Sequence, residues 1–253
     1  MPMGSLTIDA QAEKRYLLNE IKQNARPGTQ EYMSKVIPMG LKIYGLTVGT
    51  IREIVRAWQR EHGDVAREDL LAVVEAMWDR ESREERLVAL ELLQRYPRWL
   101  HDLTWAHFER WRRDLDNWEL TDVLGVGLLG PWVLGDFDGR VQHLWHLLAH
   151  DDVWSRRLAL VSSVGLNRCS KEPTLVALAL ELIDQVKEER HPTITKAVSW
   201  ALRALLKNHP DHVVAYLEAN RSMLATDVVR EVSNKLRTGR KDGKVKKPEG
   251  VDK

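Results

Sequence analysis

Trp118 and Asp122 stand four residues apart in the stretch NWELTDVL. On a helix they are neighbours on one face, which sets an indole ring beside a carboxylate. Both attract positive charge, the ring through its quadrupole and the acid through its formal charge. Two later stretches also combine chemistry with helical spacing. WSRRLALV carries Arg156 and Arg157 at a helix start, on its polar edge, where a guanidinium suits a phosphate. KAVSWALR carries Trp200, with Lys196 four residues before it and Arg203 three after. Taken singly, each has an ordinary reading: a helical Trp packs in the core, an Asp is solvated, and a repeat Arg lies on the surface.

Other arrangements carry less. GVGLLG at 125–130 fits the spacing G-x-G-x-x-G, but that fingerprint needs a preceding strand, and NWELTDVL has a helical pattern. Small residues that let two helices approach closely are the better account. His143, His146 and His150 share a helix face, yet one helix gives poor tetrahedral geometry and neither a Cys nor a clear acid completes a metal set. The spacing yields no Ser-His-Asp or Cys-His arrangement.

The elements that must hold these residues are helices. Apolar residues recur at three- and four-residue spacing in IREIVRAW (51–58), LLAVVEAMW (70–78), LVALELL (87–93), FERWRRDL (108–115), VQHLWHLL (141–148), RLALVSSVGL (157–166), LVALALELI (175–183), ITKAVSWALRALL (194–206) and VVREVSNKL (228–236). Turn and cap signals separate them at Pro38, Gly63, Ser82, Pro97, Thr104, Pro131, Asp151, Pro173, Pro192, Pro210 and Thr226. Helix pairs recurring about every 35 to 40 residues predict an all-α fold, a curved right-handed solenoid of HEAT- or armadillo-like repeats. A compact helical bundle is the alternative. We expect one repeat domain over 1–237 and a basic, disordered C-terminal tail over 238–253. The concave side of such a solenoid suits an extended partner such as a duplex.

Composition agrees with a folded chain: 253 residues, 43% hydrophobic and 30% charged. Ten Trp against two Phe put Trp where an ordinary core uses Phe. A single Cys169 excludes an internal disulfide and suits a reducing compartment. MPMGSLTIDAQAEKR lacks the apolar run of a signal peptide, and VLGVGLLGPWVLG (123–135) is too short and Gly-rich to span a bilayer. A cytoplasmic protein without membrane contact is the expectation. The net charge of +1 is unevenly spread: residues 151–253 hold 19 Lys and Arg against 14 Asp and Glu, residues 1–150 hold 19 against 23. The closing RTGRKDGKVKKPEG reads as a disordered tail or as a grip on a polyanion.

In this order, NWELTD, WSRRLAL and KAVSWALR resemble the AlkD-like DNA alkylation repair glycosylases, a family of HEAT-like repeats. The resemblance runs from EYMSKVIPMGLKIYG (31–45) to VVREVSNKL (228–236). It implies that Asp122 is the catalytic carboxylate, that Trp118 and Trp200 are active-site tryptophans, and that Arg157 is the active-site arginine. Tyr32 would border the same site, with Arg156, Lys196 and Arg203 adding DNA contacts. The implied partner is double-stranded DNA containing alkylated bases, bound by a monomer. A purine alkylated at N3 or N7 is cationic and leaves as a neutral base, so the barrier is the oxocarbenium character of the deoxyribose. Asp122 would stabilise that charge and the tryptophans would hold the cationic nucleotide. Such chemistry needs no metal, nucleotide or redox cofactor. Three features depart from the family: Asn117 stands where some members have a second Trp, Glu119 where Asp is frequent, and the loop ERHPT has no aromatic residue. The alternative is a non-catalytic HEAT-repeat protein that binds distorted or branched DNA. A Trp-rich protein-binding scaffold is a third.

Overall fold

The computed structural model describes residues 8–37, 40–79 and 82–244. Residues 1–7, the turn signal Pro38 and residues 245–253 of the expected tail lie outside the described residues. The chain divides into two compact units, Met1–Leu128 and Leu129–Lys253, within the stretch expected to form one domain. Both units are helical, as the 3.6-residue spacing predicts.

The first unit contains α1 (Ala10–Gln23), α2 (Pro27–Val36), α3 (Val48–His62), α4 (Arg67–Trp78), α5 (Arg83–Arg95), α6 (Trp105–Arg112) and α7 (Trp118–Leu124). Side chains of Asp9, Thr47, Ser82 and Asn117 accept from otherwise unpaired N–H groups at the starts of α1, α3, α5 and α7. Helix α4 packs on α1 and α5, and α5 packs in turn on α3 and α7. Trp58, Trp78 and Trp111 are fully buried. Their indole N–H groups find carboxylates: Glu13 at 2.7 Å, Asp114 at 2.8 Å and Glu75 at 3.1 Å, respectively. The Trp78–Asp114, Glu75–Trp111 and Arg83–Glu119 pairs each span 36 residues. The repeat is thus written in contacts between successive helix pairs, which bury faces that no single pair could cover.

A π-turn at Gly125–Leu129 follows α7. The second unit then contains α8 (Gly130–Leu134), α9 (Phe137–Arg140), α10 (Gln142–Leu148), α11 (Val153–Cys169), α12 (Pro173–Asp184), α13 (Pro192–Leu205), α14 (Pro210–Asn220) and α15 (Thr226–Thr238). Helix α11 packs against α8, α10, α12 and α13, and α13 packs against α15. A Cβ on Gly130 would lie 2.6 Å from the Ser162 carbonyl oxygen. GVGLLG therefore ends in a close helix contact, as its small residues suggest. Among the described residues, the extended pairing is confined to an isolated Lys42–Ser82 bridge. Among those residues, too, no helix is long and apolar enough to cross a membrane.

Candidate functional site

The first unit presents Trp118 and Asp122 through the way α7 begins. Asn117 is its N-cap, fully buried, with its side-chain oxygen 3.0 Å from Leu120 N. A tryptophan there could not accept that bond, so the departure at 117 has a local reason. The cap puts Trp118 at the first helical position and Asp122 one turn later on the same face. Trp118 is 39% exposed, and its Nε1 donates to the Val36 carbonyl at the end of α2, at 3.3 Å. Asp122 is half-buried.

Glu119, between them in sequence, points the other way. It is 8% exposed and accepts from Arg83 Nε at 2.5 Å and Nη2 at 2.7 Å. Arg83 also donates to Glu84 and to the Leu46 carbonyl. Burial alone would lower the Arg83 pKa, but its bonds and charge pairing with Glu119 and Glu84 hold it above the ordinary value. Glu84 in turn accepts the backbone N–H groups of Tyr44, Gly45 and Leu46. That turn needs glycine: Gly45 has φ 90°, and a Cβ would meet the Arg26 carbonyl oxygen at 2.5 Å. Together with Gly40 N donating to Asp116 at 3.0 Å, the network pins the segment after α2 against the start of α7. Tyr32 is 64% exposed and lies one turn before Val36 on α2. The first unit thus gathers Trp118, Asp122 and the end of the helix bearing Tyr32.

The second unit treats the expected arginines differently. Arg157 does not lie on an exposed polar edge: it is 5% exposed, and its Nη1 donates to the Thr193 carbonyl at 2.8 Å. The cause is the central position of α11, whose neighbours cover even its first turns. Arg156 is half-buried, donating to the carbonyls of His150 and Asp151 and pairing with Glu189. Lys196 is exposed on α13. Asp122, Arg157 and Lys196 each stand five residues after the N-cap of their own helix, Asn117, Asp152 and His191, whereas Trp200 lies a turn beyond that register.

Trp200 instead walls a cleft of about 1010 Å³ bordered by the C-terminal ends of α11, α13 and α15. The Arg168 guanidinium sits over its ring, 5.6 Å from the centroid. A cation therefore already occupies a ring expected to attract a cationic base. Arg203 borders the same cleft, donates to Ser199 and faces Glu231 at 3.7 Å. Burial lowers its pKa, against the opposing pull of Glu231. Lys171, Lys207 and Lys235 complete a basic lining that contains no carboxylate among the described residues. Apart from Arg203, these cations were not singled out from the sequence. They cluster at the ends of three helices, α11, α13 and α15, and only folding brings them together.

A family model described as DNA alkylation repair enzyme matches residues 17–236. Among solved structures, a predicted DNA alkylation repair enzyme from Enterococcus faecalis is similar, with a TM-score of 0.65 and 20% identity over 83% of this chain and 95% of that one. The crystal structure of smu.31 from Streptococcus mutans UA159 is similar at a TM-score of 0.52 and 16% identity, over 88% of this chain and 96% of that one. At these identities the likenesses show the fold. No curated protein sequence matches the chain.

Proposed function

The chain belongs to the DNA alkylation repair enzyme family, and from that premise we propose that it is a DNA glycosylase. It releases N3- and N7-alkylated purines from duplex DNA by hydrolysis of the N-glycosidic bond. The observation that carries this reading is the pairing on α7. Trp118 is half-exposed, with its indole tied to the Val36 carbonyl, and Asp122 follows one turn later on the same face. With Glu119 spent on Arg83, Asp122 is the carboxylate of the face that carries Trp118.

In the reaction the cationic purine leaves with the electrons of the C1′–N bond and becomes neutral, so it needs no protonation. Positive charge moves onto the deoxyribose. Asp122 stabilises that charge and orients the water that attacks C1′, taking up the proton the water releases. The Trp118 ring favours the cationic nucleotide before the bond breaks, by roughly 0.5–2 kcal/mol. Exposed Lys196 is the phosphate contact we favour. Buried Arg157 acts as a positioning residue that ties α11 to α13 through Thr193. Exposed Tyr32, one turn before Val36 on α2, is the further DNA contact we favour beside Trp118.

The test is incubation with methylated duplex DNA, followed by chromatography for free 7-methylguanine and 3-methyladenine. Release above the spontaneous rate supports the glycosylase. Tight binding of distorted or branched DNA with no base release would replace it with a non-catalytic binder.

A further inference from the structure

The cleft beside Trp200 has a composition that the α7 chemistry does not use. Positive charge in the last turn of a helix complements the macrodipole. That account covers Arg168, Arg203 and Lys235, each in the last turn of its helix. It does not cover Lys171 and Lys207, which stand beyond the last residues of α11 and α13 and still line the cleft. Nor does it explain why Arg168 lies over an indole. An exposed guanidinium beside an indole is a cationic, aromatic surface of the kind on which unpaired bases stack.

Asn167 lines the cleft and is 8% exposed. Its Nδ2 donates to the carbonyls of Ser163 and Leu175, which fixes the amide, yet its Oδ1 has no donor among the described residues. That oxygen is itself out of solvent contact, so Asn167 forms part of the cleft's floor and the cations and the indole present its recognition groups. Cys169 lies in the same lining, but burial raises its thiol pKa, so the cleft is not built around a nucleophile.

We infer that this cleft binds an unpaired DNA nucleotide, its base stacked on the Arg168–Trp200 pair and its flanking phosphates held by Lys171 and Lys207. In a duplex the base faces are already stacked on one another, so a platform for a base face serves a single strand. The cleft volume, at the upper end of the roughly 300–1,000 Å³ of small-ligand sites, admits a nucleotide with its neighbouring phosphates. This inference concerns binding and does not rest on the glycosylase reading.

The test uses the full chain and two labelled, undamaged oligomers of equal length, oligothymidylate and its abasic counterpart. They carry the same phosphates and differ in their bases. By fluorescence anisotropy we expect the thymidylate to bind about tenfold tighter, the scale of one stacked base. Trp200→Leu should erase that ratio. So should Arg168→Gln, an exposed site where folding is not at stake. Lys207→Gln should weaken both oligomers alike and reduce the salt slope by about 0.7. Equal affinity for the two oligomers, binding to neither, or a ratio that survives Arg168→Gln overturns the inference. Because the DNA is undamaged, a chain that releases no methylated base would still give a clear answer.

Discussion

Asp122→Asn removes one charge from α7 while keeping the side chain's shape. The N-cap bond of Asn117 and the Trp118–Val36 bond do not involve residue 122, so the helix start should persist. Asp122 is half-buried, which calls for a near-surface effective dielectric. Unit charges 4 Å apart then attract by about 4 kcal/mol. A partly formed oxocarbenium collects about half to all of this, so the barrier should rise by roughly 2–4 kcal/mol, a loss of about 30- to 1,000-fold in rate. The assay is single-turnover release of 7-methylguanine, corrected for spontaneous depurination, with duplex affinity and melting temperature measured in parallel. Affinity should hold within a few-fold, since losing an acid near phosphates does not weaken binding. An unchanged rate would remove Asp122 from the mechanism. A rate that fell only in step with affinity would make it a binding residue.

The remaining expectations follow from burial. Glu119→Gln breaks the buried pair with Arg83 and should cost about 3–5 kcal/mol in urea denaturation; an unshifted midpoint would contradict the network described around Glu84. Gly130→Ala drives a Cβ against the Ser162 carbonyl and should cost about 1–3 kcal/mol by the same measurement; an unshifted midpoint would show that α8 can move off α11 at no cost. Trp118→Ala should leave the melting temperature nearly unchanged and slow release of cationic bases, whereas fully buried Trp111→Ala should lose about 3–5 kcal/mol of stability. Equal losses of stability at both positions would return Trp118 to the core.

Much of the helical layout was legible because its signals are local. Ser82 caps α5, Pro173, Pro192 and Pro210 open α12, α13 and α14, and Thr226 opens α15. A cap or an N-terminal proline acts on the few residues beside it, so spacing alone reveals it. The surroundings of Arg157 were not legible. Its stretch looks like a helix start with a polar edge, and only the packing of α10, α12 and α13 on α11 buries it. Glu119 hid in the same way, its partner Arg83 lying 36 residues back. The basic cleft had no sequence signal beyond scattered cations at helix ends. Trp200 drew notice through its neighbours in sequence, while its spatial partner Arg168 lies on another helix.

The surplus of Trp over Phe has one physical account across the first unit. Each fully buried Trp there hands its N–H to a carboxylate, Trp58 to Glu13, Trp78 to Asp114 and Trp111 to Glu75. A Phe could fill the volume but offers no N–H, so each of these bonds between helices would be lost. Tryptophan and carboxylate thus form a repeated structural couple that ties one helix pair to the next. On α7 the couple is taken apart. Trp118 gives its N–H to a backbone carbonyl instead, Glu119 takes the arginine that a structural acid needs, and Asp122 stands half-buried one turn on from Trp118. The same two residue types that elsewhere bind each other through the indole N–H here stand one turn apart on one helix face. In the glycosylase we propose, a substrate that becomes cationic at the sugar as its bond breaks is what such a pair favours.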